Sequence, residues 1–115
     1  MQLTLLPRQD GLTIRVDERR IDAAIATAFK DRVRSMISNG GAQVTLDLRG
    51  VEFMDSSGLG AIIAIFKAMP SGRQLVLTGL TPNVERVFKL TRMDTVLTIL
   101  PGQDGIADAA ELPGE

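Results

Sequence analysis

Histidine, cysteine, tyrosine and tryptophan are all missing from this 115-residue chain, and phenylalanine occurs only four times. Each absence removes a class of function. Without histidine, neither a Ser-His-Asp nor a Cys-His nucleophile can be assembled, and every histidine-containing metal site is closed off. Without cysteine there is no disulfide framework to imply secretion, which leaves the compartment open on that count. The scarcity of rings takes away the stacking platforms that single-strand binders generally use. Thirteen basic residues against fourteen acidic ones leave a net charge of −1. No general electrostatic footprint for nucleic acid or anionic membrane results, so neither is an expected partner.

A long hydrophobic run is also lacking. The longest nearly apolar stretch, residues 58–66, falls well short of the roughly 20 residues a membrane helix needs. The N-terminus alternates instead of placing a basic segment before an apolar one, as a signal peptide does. A cytoplasmic protein without membrane insertion is the expectation. There is no Gly-x-x-x-x-Gly-Lys-Ser/Thr loop to hold a nucleotide, and no cofactor is expected.

What remains is an ordinary globular balance, 44% hydrophobic and 23% charged, in a chain of about one domain's length. Residues 1–115 are read as a single domain whose tail, from about residue 102, is a short helix or weakly ordered. Residues 3–6 and 12–16 flank Pro7, Asp10 and Gly11, and Leu12, Ile14 and Val16 alternate with polar residues, so this pair reads as a hairpin. The period then changes to three and four at Ile25, Phe29, Val33 and Met36 or Ile37, which predicts a helix over about 22–38. Asp22 is its expected N-cap and Asn39-Gly40-Gly41 its stop.

Val44, Leu46 and Leu48 alternate as a strand, and residues 49–54 connect it to a second helix beginning near Ser56 or Ser57. That helix is expected to bury Leu59, Ile62, Ile63 and Phe66 and to stop at Pro70-Ser71-Gly72. Residues 75–77 form a short strand, and Thr81-Pro82 starts a third helix with threonine as cap and Val84, Val87 and Phe88 as its buried face. Residues 96–100 read as a last strand and 106–112 as a C-terminal helix. The alternation implies an α/β fold, a mixed sheet of four to five strands with a leading hairpin and three to four helices packed on it.

The stretch 44–60, with its core Asp55-Ser56-Ser57-Gly58-Leu59-Gly60 entering an apolar helix after a hydrophobic strand, resembles the signature of STAS domains of the anti-sigma factor antagonist type. Ile21-Asp22 looks like the family's acidic turn, and residues 81–88 look like its late helix. Arg19-Arg20 stand where many relatives have a glycine, a departure that bears on partner choice. On the residues alone, Asp55, Ser56 and Ser57 read as a helix cap, the common role of Asp-Ser before an apolar run.

The resemblance adds a phosphoacceptor at Ser56, and a helix N-terminus suits a phosphate because unpaired amides and the positive dipole end meet there. It implies a non-enzymatic switch: unmodified, the chain binds an anti-sigma factor that is also a serine kinase and releases a sigma factor. Phosphorylation reverses this, and a serine phosphatase restores it. Asp22, Asp55, Ser57, Gly58, Leu59 and Gly60 are the expected partner surface, Gly58 and Gly60 giving a partner's backbone room to approach. The free chain is expected to be a monomer.

Two other readings compete. One is a STAS-fold scaffold subunit of a transport or signalling complex without regulated phosphorylation. The other is a serine hydrolase or small NTPase, which without histidine would need a lysine beside the serine. Sequence does not put Lys30, Lys67 or Lys89 there.

Overall fold

The computed structural model describes residues 1–9, 11–38 and 42–100. Among these residues seven strands and three helices follow in the order β1 (Leu3–Arg8), β2 (Gly11–Val16), β3 (Arg20–Ile21), α1 (Ala26–Ile37), β4 (Gln43–Asp47), β5 (Phe53–Met54), α2 (Ser56–Ala68), β6 (Gln74–Thr78), α3 (Pro82–Leu90) and β7 (Thr98–Leu100). A 3-10 turn at Met93–Thr95 precedes the last strand. The expected helix at 106–112, the helix stop Asn39-Gly40-Gly41 and the turn residue Asp10 lie outside the described residues.

Five strands make one sheet in the order β1-β2-β4-β6-β7. The leading hairpin is antiparallel and every later pairing is parallel, so helices are needed as crossovers between the parallel strands. Register explains the core. Leu12, Val44 and Leu75 stand in line across the sheet, as do Ile14, Leu46, Leu77 and Ile99. Residues two apart share a face of a strand, so these rows build one apolar surface. Phe29, Val33 and Ile37 of α1, Ile62 and Ile65 of α2, and Val84 and Phe88 of α3 join it in a single cluster. Phe29 and Phe88 have no exposed surface, and burying a side chain of that size contributes roughly 1.5–3 kcal/mol.

Several local expectations are corrected. Pro7 lies within β1, opposite Leu12, rather than in the turn. β1 is the sheet edge, where a residue without an amide proton is tolerated. The first helix starts at Ala26, four residues after Asp22, and has no side-chain cap. Asp22 instead closes the preceding turn: its Oδ1 accepts from the Ala24 amide at 3.1 Å, and its carbonyl accepts from the amides of Ile25 and Ala26. In α2, Ile65 is fully buried while Ile63 and Phe66 are half-buried against the cluster. Thr81 does sit at the N-cap of α3 with Pro82 following, but its hydroxyl donates to the Val51 carbonyl at 2.7 Å instead of capping the helix.

The connecting segment before α2 carries a feature that the sequence did not announce. Phe53-Met54 pairs in parallel with Arg20-Ile21 as a separate two-stranded ribbon, tightened by the amides of Glu52 and Phe53, which both donate to the Arg19 carbonyl at 2.7 and 3.1 Å. This ribbon brings the turn before α1 against the mouth of α2.

Candidate functional site

Asp55 is the N-cap of α2, with extended backbone. Its Oδ1 accepts from the Gly58 amide at 3.0 Å and its Oδ2 from the Ala23 amide at 3.2 Å. One carboxylate therefore caps its own helix and fastens it to the turn that leads into α1. Those amide hydrogen bonds, that of Gly58 foremost, hold the Asp55 carboxyl below its ordinary value of 3.8, against partial desolvation that pushes it up. The group is an anion at neutral pH.

Ser56 and Ser57 open the helix and are exposed. The residues next to them divide by face. Gly58 is buried, and a Cβ there would lie 2.2 Å from the Ile21 carbonyl oxygen and 2.9 Å from Met54 Cγ. The room expected at Gly58 for a partner's backbone is thus already filled by the chain's own β3 strand. Leu59, 8% exposed, belongs to the core. Gly60 is exposed with open space around it. Of the expected partner surface, Ser57 and Gly60 face outward next to the exposed Ser56, with Asp22 and Asp55 half-buried beside them.

Between α1 and α2 runs a shallow groove of about 250 Å³, with Ser57, Gly60 and Ala64 on one wall and Ala23, Thr27 and Lys30 on the other. Of the three lysines that the sequence could not place, Lys30 shares this groove with Ser57 rather than Ser56. Lys89 pairs with Glu85 on α3 at 3.8 Å. The amide of the expected free helix end at Gly58 is taken by Asp55, so a group attached to Ser56 would stand beside a fixed anion as well as the helix dipole.

Arg19 and Arg20 stood out in the sequence for partner choice, but their contacts within the chain, and the part played by Asn83, did not. Arg20 bonds Asp22 through Nε at 3.3 Å and lies over the Phe53 ring, 4.5 Å from its centroid. Arg19 pairs with Glu52 at 3.1 Å. Asn83 donates to the Glu52 carbonyl at 3.4 Å and, with Thr81, ties the connecting segment to α3. Two-residue strands have no periodicity to read, so none of these contacts had a signal.

The described residues thus form an α/β domain with a capped, exposed serine turn at the start of its second helix. The chain belongs to the STAS domain family, whose model matches residues 5–109. It is 32% identical over 80 residues to the anti-sigma-B factor antagonist of Listeria monocytogenes, covering 69% of this chain and 70% of that one. A Thermotoga maritima structure described as an anti-sigma factor antagonist superposes with a TM-score of 0.76 at 28% identity, covering 95% of this chain and 92% of the other. An anti-sigma factor antagonist from Mycobacterium paratuberculosis shares the fold with a TM-score of 0.81 at 21% identity, covering 96% and 91%. The chain is accordingly a regulatory binding domain and not an enzyme. Among the described residues no helix is long and apolar enough to cross a membrane.

Proposed function

We propose that this protein is an anti-sigma factor antagonist switched by phosphorylation at Ser56. Unmodified, it binds an anti-sigma factor with serine kinase activity and frees the sigma factor held there; phosphorylated, it lets go, and a serine phosphatase resets it. The observation that carries this reading is the exposed Ser56 at the first position of α2, immediately after a carboxylate already committed to the amides of Gly58 and Ala23.

Phosphate adds about 1.5–2 negative charges at neutral pH. With the nearest cap amide occupied, that charge is directed at whatever docks on the surface of Ser56, Ser57, Gly60 and Asp22. A bound partner without matching cations meets like charge beside the Asp55 anion and the cost of stripping water from a dianion. About 2.7 kcal/mol of such cost weakens binding a hundredfold. Gly58 and Leu59 serve the same surface from behind by fixing the helix mouth against Ile21 and the core.

The test is incubation with the kinase-type anti-sigma factor, followed by mass spectrometry and binding. Phosphate at Ser56, retained in Ser57→Ala, and tight constitutive binding by Ser56→Ala are expected. Modification at Ser57 alone would overturn the assignment.

A further inference from the structure

Beside the serine turn lies a second surface that the switch itself does not use. Phe53 is an exposed large apolar side chain, 40% accessible, on a ribbon two residues before Asp55. Arg20 covers one side of its ring, at 4.5 Å, and the same guanidinium bonds Asp22. Arg19, Arg20, Glu52 and Phe53 together line a shallow concavity of about 280 Å³, and Glu52 also borders a neighbouring one with Thr81, Pro82 and Asn83 at the start of α3.

The charges in this patch are unequally presented. The side chains of Arg19 and Arg20 are 80% and 63% accessible, while their acidic partners Glu52 and Asp22 are 61% and 25% accessible. In each pair the guanidinium is thus the more exposed member, and both flank an aromatic edge. Exposed ion pairs of this kind contribute little to folding, and an aromatic held open by an arginine does not serve the core. Aromatic and arginine side chains are, however, the residues that most often dominate binding energy at protein interfaces.

Resting on the reading above, we infer that Phe53 with Arg19 and Arg20 is the specificity-determining anchor for the anti-sigma factor. It receives an aliphatic side chain against the free edge of the Phe53 ring and a partner carboxylate against the guanidiniums. Recognition and switching are then separate neighbours: the ribbon selects the partner, and the serine turn decides whether it stays. Continuity supports one occupant for both, because Asp22 pairs with Arg20 and, accepting from the Ala24 amide, closes the same turn whose Ala23 amide donates to Asp55.

The test uses the full chain and a panel of purified kinase-type anti-sigma factors from the same genome, with affinities measured by calorimetry. Phe53→Ala should weaken the cognate complex at least tenfold, and Arg20→Glu by a similar factor. Reversing one partner carboxylate to lysine should restore at least threefold of the Arg20→Glu loss. Circular dichroism reports whether each variant folds; should Phe53→Ala not fold, Phe53→Leu and Arg20→Glu carry the test.

Unchanged affinity in folded Phe53→Ala and Arg20→Glu, with Ser56→Asp still disruptive, overturns the anchor and leaves the switch intact. Loss of binding in both patch variants, with Ser56→Asp binding as well as wild type, supports the anchor and overturns the switch. Self-association of the free chain that Phe53→Ala abolishes would assign the patch to a second copy and overturn the inference.

Discussion

Gly58 and Gly60 lie two residues apart on one helix and do opposite work. At Gly58 the missing side chain lets the Ile21 carbonyl sit where a Cβ would be; at Gly60, beyond its chain neighbours and its own helix backbone, no described atom lies within 4 Å of that position. The same division separates buried Leu59 from exposed Ser56 and Ser57. One face of the first turn of α2 is fixed by packing, and the other is left open. Under the proposed switch, the rigid inner face keeps a charge on the outer face from being relaxed away by local movement, so that it acts on the partner.

Substitutions can break this comparison. Gly58→Ala forces backbone apart at β3 and α2, and overpacking of this severity should cost about 3 kcal/mol or more; chemical denaturation would read it as a fall in midpoint or as loss of the fold. A Gly58→Ala protein of wild-type stability would mean that the inner face is not tightly packed. Thr81→Val removes the hydroxyl that bonds the Val51 carbonyl and should cost about 1 kcal/mol. Because the connecting segment hangs from that bond, hydrogen exchange at residues 51–55 should also quicken.

Asp55 supplies a pH test. Its carboxyl is held below its ordinary value in the folded chain, so the unfolded chain binds a proton first as the solution is acidified. Its contribution is complete above about pH 4 and is lost as pH falls through the lowered folded value. Thermal melts of wild type and Asp55→Asn should therefore differ near neutrality and converge as acidification protonates the folded-state carboxyl as well. Asp17, lowered by its bonds from Thr4 and Arg15, titrates in the same range in both proteins and cancels in the difference. The smallest effect belongs to Gly60→Ala, which should leave stability unchanged or raised by about 0.4–1 kcal/mol. It should still weaken partner binding, since the added methyl enters the open side.

How much of this was legible before the structure follows from the length of each signal. The parallel sheet and its helices were readable because Leu12-Ile14-Val16 and Val44-Leu46-Leu48 alternate and Phe29-Val33-Ile37 repeat at helical spacing. The serine turn was readable as a motif. Its division into faces was not, because Gly58 and Gly60 look alike until a carbonyl from residue 21 is placed against one of them. The ribbon of residues 20–21 and 53–54 has no pattern at all, and with it went the Arg20–Phe53 contact. Asp22 was read as the helix N-cap, but its side chain accepts from the Ala24 amide and closes a turn before the helix starts at Ala26.

Titrating the anti-sigma factor with the domain before and after stoichiometric phosphorylation of Ser56 addresses the central claim most directly. The account predicts at least a hundredfold weaker binding by the phosphorylated form, with an unchanged fold. Equal affinity of the two forms would contradict it.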